Sequence, residues 1–146
     1  MYKAKLIKHV CKDMQLTDEK GKVVFKASVD VSVDDYINNI PALNTSIQNV
    51  TNRVNSLQNA IRTADKDDIL TLMESLSKFS KELAGYINTY LTTVFGAVKA
   101  HELLMACNNR ALDAYCAVVP FVNECIVPEI NNEMSKNMAR ITDIMK

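Results

Sequence analysis

From Lys22 onward the apolar residues fall on every second position. Val23, Phe25, Ala27, Val29, Val31 and Val33 share one face, and Val24, Lys26, Ser28, Asp30 and Ser32 take the other. A period of two is the signature of a strand with one covered face. Upstream, Met14 and Leu16 alternate with Asp13, Gln15 and Thr17. Between the runs, Asp18-Glu19-Lys20-Gly21 has turn chemistry, with Gly21 able to take positive φ. Residues 3–17 and 22–31 are expected to form an antiparallel hairpin. An isolated hairpin is not stable, so its apolar face must lie on helices or on another chain.

After Ser32 the period becomes helical. Ser32 and Asp35 form a capping-box-like pair opening a short helical turn. Pro41 disfavours helical geometry at Ile40 and suits the first turn of a new helix, so a boundary is expected there. Ile40, Leu43, Ile47, Val50, Val54, Leu57, Ile61 and Ala64 then recur at alternating steps of three and four, a coiled-coil seam. Asp65 is placed to cap a further helix, with Asp67 and Asp68 in its first turn. That helix carries Ile69, Leu72, Leu76, Phe79, Leu83, Ile87, Tyr90 and Val94 on one stripe and should stop at Phe95-Gly96. A shorter helix over 97–107 follows, and Asn108 or Asn109 can cap the next. Ala111–Val127 is apolar at 13 of 17 positions, so it should be central in a bundle or covered by a partner. Pro120 should kink this helix, and Pro128 should end it and open the last one. The last helix is amphipathic through Ile130, Met134, Met138, Ile141 and Met145. The expected fold class is α+β, mostly α: a β-hairpin over 1–33 and a bundle of four to five helices over 34–146, together one compact domain.

Composition agrees with long elements. Three Gly and three Pro make about 4% of the chain, against roughly 12% on average, too few breakers for an all-β fold. All but Gly85 fall at expected boundaries or kinks, and Gly85 would serve close packing inside its helix. Seventeen basic and seventeen acidic side chains cancel, so nothing in the overall field attracts nucleic acid. The opening residues contain no apolar signal region. The uncharged runs 36–52 and 83–98 are shorter and more polar than a membrane span. Four cysteines without scaffold spacing suit a reduced, cytoplasmic setting.

Candidate chemistry is sparse. Cys107, Cys116 and Cys125 recur every nine residues, which puts neighbours half a turn out of phase on one helix, so buried packing explains them better than metal. His9 shares a strand face with Cys11, and His101 has no spaced partner. Asp65, Asp67 and Asp68 lack the Gly and closing Glu of a calcium loop. No phosphate-loop, dinucleotide, nucleophile-elbow or zinc-protease motif occurs. The expectation is a non-enzyme with no cofactor, no metal and no evident small-molecule substrate.

The seam is the informative constellation, and two readings stay open. It is either internal to the chain's own bundle or it pairs with a partner helix or a second copy through Ile47, Val50, Val54, Leu57 and Ile61. Its flanks are Asn, Gln, Ser and Thr with Arg53 the only charge among them, so partner choice is not electrostatic. Tyr86 and Tyr90 lie four apart along one side of the following helix and suit a core.

Tyr86-Ile-Asn-Thr-Tyr-Leu-Thr-Thr-Val-Phe-Gly96, Lys99 to Leu104, Asn108-Asn109 and Phe121-Val-Asn-Glu-Cys-Ile126 together resemble small phage and prophage proteins of Gram-positive bacteria, grouped with tail assembly chaperones and neighbouring tail-module proteins. The resemblance departs after Gly96, at Ala97-Val98-Lys99. It implies a non-catalytic assembly protein that shields a helical tape-measure protein or a tail subunit in the host cytoplasm. A structural virion component, such as a connector self-assembling through its helices, is the alternative. A host cytoplasmic helical adaptor is a third reading.

Overall fold

A computed structural model of the chain describes residues 1–4, 12–30 and 32–146. His9, Cys11, Val31 and most of the first half of the expected strand 3–17 lie outside the described residues. Strands β1 (Lys12–Thr17) and β2 (Val23–Val29) form the expected antiparallel hairpin, with Lys12 opposite Val29 and Leu16 opposite Phe25. Its turn is held by Asp18, whose Oδ1 accepts from the Lys20 and Lys22 amides at 2.9 Å each, while Gly21 takes φ of 80°. A bulge between Leu16 and Thr17 takes Val23 out of phase, so Val23 is exposed while Phe25, Ala27 and Val29 point into the core. Phe25 meets Phe95 edge to face at 5.5 Å, which supplies the helical support the hairpin requires.

Five helices follow: α1 (Val33–Thr63), α2 (Lys66–Phe95), α3 (Ala97–Ala106), α4 (Ala111–Phe121) and α5 (Val127–Met145). Ser32 caps α1 as expected, its Oγ accepting from the Asp35 amide at 3.1 Å. Pro41 does not interrupt α1, contrary to the expected boundary; it stands in the third turn of one continuous helix. The lost bond concerns the carbonyl of Ile37, which is 46% exposed and open to water, while Ile40 is fully buried and holds the turn in place. Val33, expected on the strand, begins α1 instead.

Asp65 stands at the N-cap of α2, yet its side chain makes no cap hydrogen bond there. Gly96, at φ of 83°, ends α2 and starts α3. Asn108 and Asn109 cap the end of α3 rather than the start of α4. Both have positive φ, and their amides reach back to the carbonyls of Met105 (3.1 Å) and Leu104 (2.7 Å), a paired C-terminal cap. Arg110 takes the N-cap of α4. Pro128 stands in the first turn of α5, as expected of a residue that opens the last helix, but it does not end the one before. A π turn (Val122–Ile126) joins α4 to α5 without a break, and the Val127 amide bonds the Val122 carbonyl five residues back. The wide turn sits between Pro120 and Pro128, both of which remove helix donors. The result is one rod from Ala111 to Met145.

The core lies where the hairpin, α1, α2, α3 and the rod meet. It contains Ile40, Ile47 and Val50 of α1, Leu83, Ile87, Tyr90, Leu91 and Val94 of α2, and Ala114, Val118, Val122, Ile126 and Ile130 of the rod. Lys12 Nζ, 3.4 Å from Glu129 Oε1, ties β1 to α5. Gly85 has open space where a Cβ would stand, so close packing is not its role.

Candidate functional site

Two helical elements extend past this core. Each of α1 and α2 runs about 45 Å at 1.5 Å per residue, but their buried residues end at Val50 and begin again at Leu83. From Thr51 to Glu82 no residue is buried, although the heptad pattern continues through Val54, Leu57, Ile61, Ile69, Leu72, Leu76 and Phe79. This stretch is a two-helix arm in which each helix covers half of the other. Two helices leave an apolar seam partly wet, and a third is needed to close it.

The expected partner residues divide along this line. Ile47 and Val50 are enclosed in the body at 2% and 3% exposure. Val54, Leu57 and Ile61 are half-buried on the arm. The seam therefore serves the chain's own α1–α2 contact in the body and stays reachable on the arm. One edge of the arm is closed by the Arg53 guanidinium, 5.5 Å above the Phe79 ring. A groove of about 360 Å³ lies beside it, between Asn52, Ser56 and Leu57. On the other edge of the α2 stripe, Leu70 and Met73 are bare, at 73% and 52% exposure.

The rod is the second element. Ala114, Val118, Val122, Ile126, Ile130 and Glu133 face the body, and after Glu133 nothing on α5 is buried. Met138, Ile141 and Met145 of the expected amphipathic stripe are exposed by half or more. On α4, the sequence required a central or partner-covered helix; the structure buries one face through Ala114 and Val118 and leaves the face of Leu112 and Cys116 at the surface. Leu112, Tyr115, Cys116, Val119 and Asn123 form one wall of a groove of about 460 Å³ whose other wall is Asn44, Ile47, Gln48, Thr51 and Asn52 of α1. No charged side chain lines it. Sequence reasoning missed this groove because it needs α4 set against α1, which the Tyr115 hydroxyl does by donating to Asn44 Oδ1.

Comparison with family models, with curated proteins and with solved structures finds no match for the chain. The surfaces themselves carry the functional reading. A compact monomer of 16.3 kDa exposes about 7,500 Å², whereas this chain exposes 10337 Å². Some of the surplus belongs to the N-terminal residues, where Met1 and Tyr2 are almost wholly bare, and the rest to projecting elements such as the arm and α5.

Other candidate chemistry stays apart. Cys107, Cys116 and Cys125 are free thiols that do not converge; contrary to the expected burial, Cys107 and Cys125 are half-buried and Cys116 is exposed, on the open side of α4. No group of three or more metal-ligating side chains gathers among the described residues. Burial, helped by Asp113, pushes the Cys107 thiol up, away from a reactive thiolate. His101 is exposed and lines an open cleft with Lys26, Lys99 and Glu102, the last two paired at 3.0 Å. Asp67 and Asp68 sit in the first turn of α2, where the helix dipole favours them. Tyr90 is core, edge-on to Tyr115 at 5.1 Å, and Tyr86 donates to Glu82 Oε1 at 3.4 Å. The 35-residue rod meets the length and composition of a membrane span, with 22% of its most apolar window buried. The same composition fits a helix covered by protein.

Proposed function

We propose that this protein is a non-catalytic protein-binding and assembly protein that takes an apolar helical segment of a partner along the α1–α2 arm. The observation that carries this reading is the absence of any buried residue from Thr51 to Glu82 on a stretch patterned as a bundle core. A third helix beside Leu70 and Met73 would complete a three-helix bundle and remove the wet seam. Uncharged Asn, Gln and Ser flanks on α1 set no register for a partner, while on α2 Lys66 and Glu74, four residues either side of Leu70, offer charges to its rim. The specific form implied by the resemblance is a phage tail assembly chaperone that shields a helical tape-measure protein or tail subunit. A structural virion component that assembles through its helices is the second reading, favoured by the uncovered length of α5.

The test is titration of the purified protein with a synthetic helical peptide that carries an apolar heptad stripe. The wild type should bind, and the double variant Leu70→Asp/Met73→Asp should bind about tenfold or more weakly, a difference of 1.4 kcal/mol. Both residues are exposed, so its melting curve should stay in place. Equal binding by both proteins removes the arm as the site. A gene set between a major tail protein and a tape measure supports the chaperone form, and a metabolic operon overturns it.

A further inference from the structure

The rod carries two lines of equal length and step. Along α4 and into the π turn the line is Leu112, Cys116, Val119 and the polar Asn123; on α5 it is Met134, Met138, Ile141 and Met145. Each advances by four, three and four residues, about 16 Å at 1.5 Å per residue. The two are mirror-ordered: counting outward from the middle of the rod, Asn123 matches Met134, Val119 matches Met138, Cys116 matches Ile141 and Leu112 matches Met145. From this we infer that a second copy of the chain lies antiparallel along the rod, with α5 of each copy seated in the α1–α4 groove of the other.

The π turn makes this pairing possible. Continued from Asn123 in strict heptad steps, the line would reach Ile126, Ile130 and Glu133, which face the chain's own body. The π turn accommodates one extra residue per turn. The line therefore passes instead through Val127 and Asn131 to Met134, each one position after a body-facing residue. Both lines thus stand on one side of the rod, which the body covers only in part, at Val119 and Val127. Because the rod is continuous, they cannot meet within one chain.

Charge and area agree with a second copy as the occupant. The groove walls are amides, apolar groups and a thiol with no charged side chain. The flanks of the α5 line, Ser135, Asn137, Thr142 and Ile144, are uncharged too, while Lys136 and Asp143 lie about half a turn away from it. The area open for an interface on α5 is that around Met138, Ile144 and Met145, exposed by 64%, 82% and 80%, and a stable interface covers roughly 800 Å² per partner. A two-fold axis near Pro128 would use the groove and the α5 line twice and close the assembly at a dimer. Of the arm only Thr51 and Asn52, at its foot, line the groove; Leu70 and Met73 lie outside it, so this inference and the proposed function are tested by different residues and stand or fall separately.

Light scattering on the eluting full-length protein should give twice the chain mass. Met138→Glu, at a position 64% exposed, should give a monomer that keeps the wild-type helical circular dichroism and melts at a temperature independent of concentration, whereas the wild-type melting temperature rises with concentration. The two-fold counts each substitution twice, so dissociation should rise by roughly a hundredfold or more. Register is read by disulfide trapping. In a background of Cys11→Ser, Cys107→Ser and Cys125→Ala, Ile141→Cys should cross-link between copies to the native Cys116. A wild-type monomer at all concentrations overturns the inference, and so does cross-linking of 141 to 141, which means parallel rods. A chain that stays monomeric and enters phosphatidylcholine vesicles through the rod also overturns it, in favour of a membrane.

Discussion

The Tyr115 hydroxyl donates a 2.7 Å hydrogen bond to Asn44 Oδ1, joining α4 to α1 across 71 residues of chain. It is the polar tie of the groove between those helices. Tyr115→Phe keeps the ring against Tyr90 and leaves the amide acceptor of Asn44 without its donor. The expected loss is about 1 kcal/mol, or roughly 2–4 °C in melting temperature. In a double-mutant cycle with Asn44→Ala the two losses should not add; additive losses would mean the bond contributes nothing.

Gly85 stands inside α2 with open space around its missing Cβ. Gly85→Ala should therefore raise stability by about 0.5–1 kcal/mol, because the unfolded chain loses freedom and the helix gains propensity. A urea midpoint at or below wild type would show a constraint at this site that the packing does not contain.

Asn108 sits at φ of 55° in the cap that ends α3. Asn108→Gly should be neutral or stabilising, and Asn108→Val should cost about 1–2 kcal/mol, since a β-branched residue is strained in the left-handed region. Equal melting temperatures for the two variants would refute the cap.

Burial raises the hydroxyls of Tyr36, Tyr90 and Tyr115 above their usual 10.0, with Tyr90 raised further by Tyr115 and then Tyr36. A raised native value means that the folded state favours the neutral phenol. The stabilisation from these groups is whole below pH 10 and is lost as pH rises through the native values. Tyrosinate absorbance and helical circular dichroism, followed together in alkali, should show Tyr90, 1% exposed, ionising only as the helices melt. Ionisation of all the tyrosines with the helices intact would contradict its burial.

What could be read along the chain was local. The hairpin turn, the Ser32 cap, the α2 stripe and the stop at Gly96 each depend on residues within one or two turns, and each stands where expected. Pro41 and Pro128 misled because a proline's cost depends on what holds the helix around it: Ile40 buried in one case, the π turn in the other. Asn108 and Asn109 were read for their N-cap chemistry, but a left-handed C-terminal cap uses the same residue type. Of the candidate site, the spacing on α1 marked Val54, Leu57 and Ile61, but periodicity alone could not tell enclosed Ile47 and Val50 from the reachable part of the same line. The α1–α4 groove was invisible, since Asn44 and Tyr115 meet only after the chain has folded.

Only Ala64 and Asp65 separate α1 from α2. Closing so short a loop costs little entropy, and contacts near in sequence form early. The expected order of folding starts at the tip of the arm and zips toward the body. The N-terminal hairpin comes before the arm in the chain but settles after it, because Phe25 must wait for Phe95. During synthesis the arm can therefore be complete while the rod is still being made, so the face proposed to take a partner stands open before the rod exists.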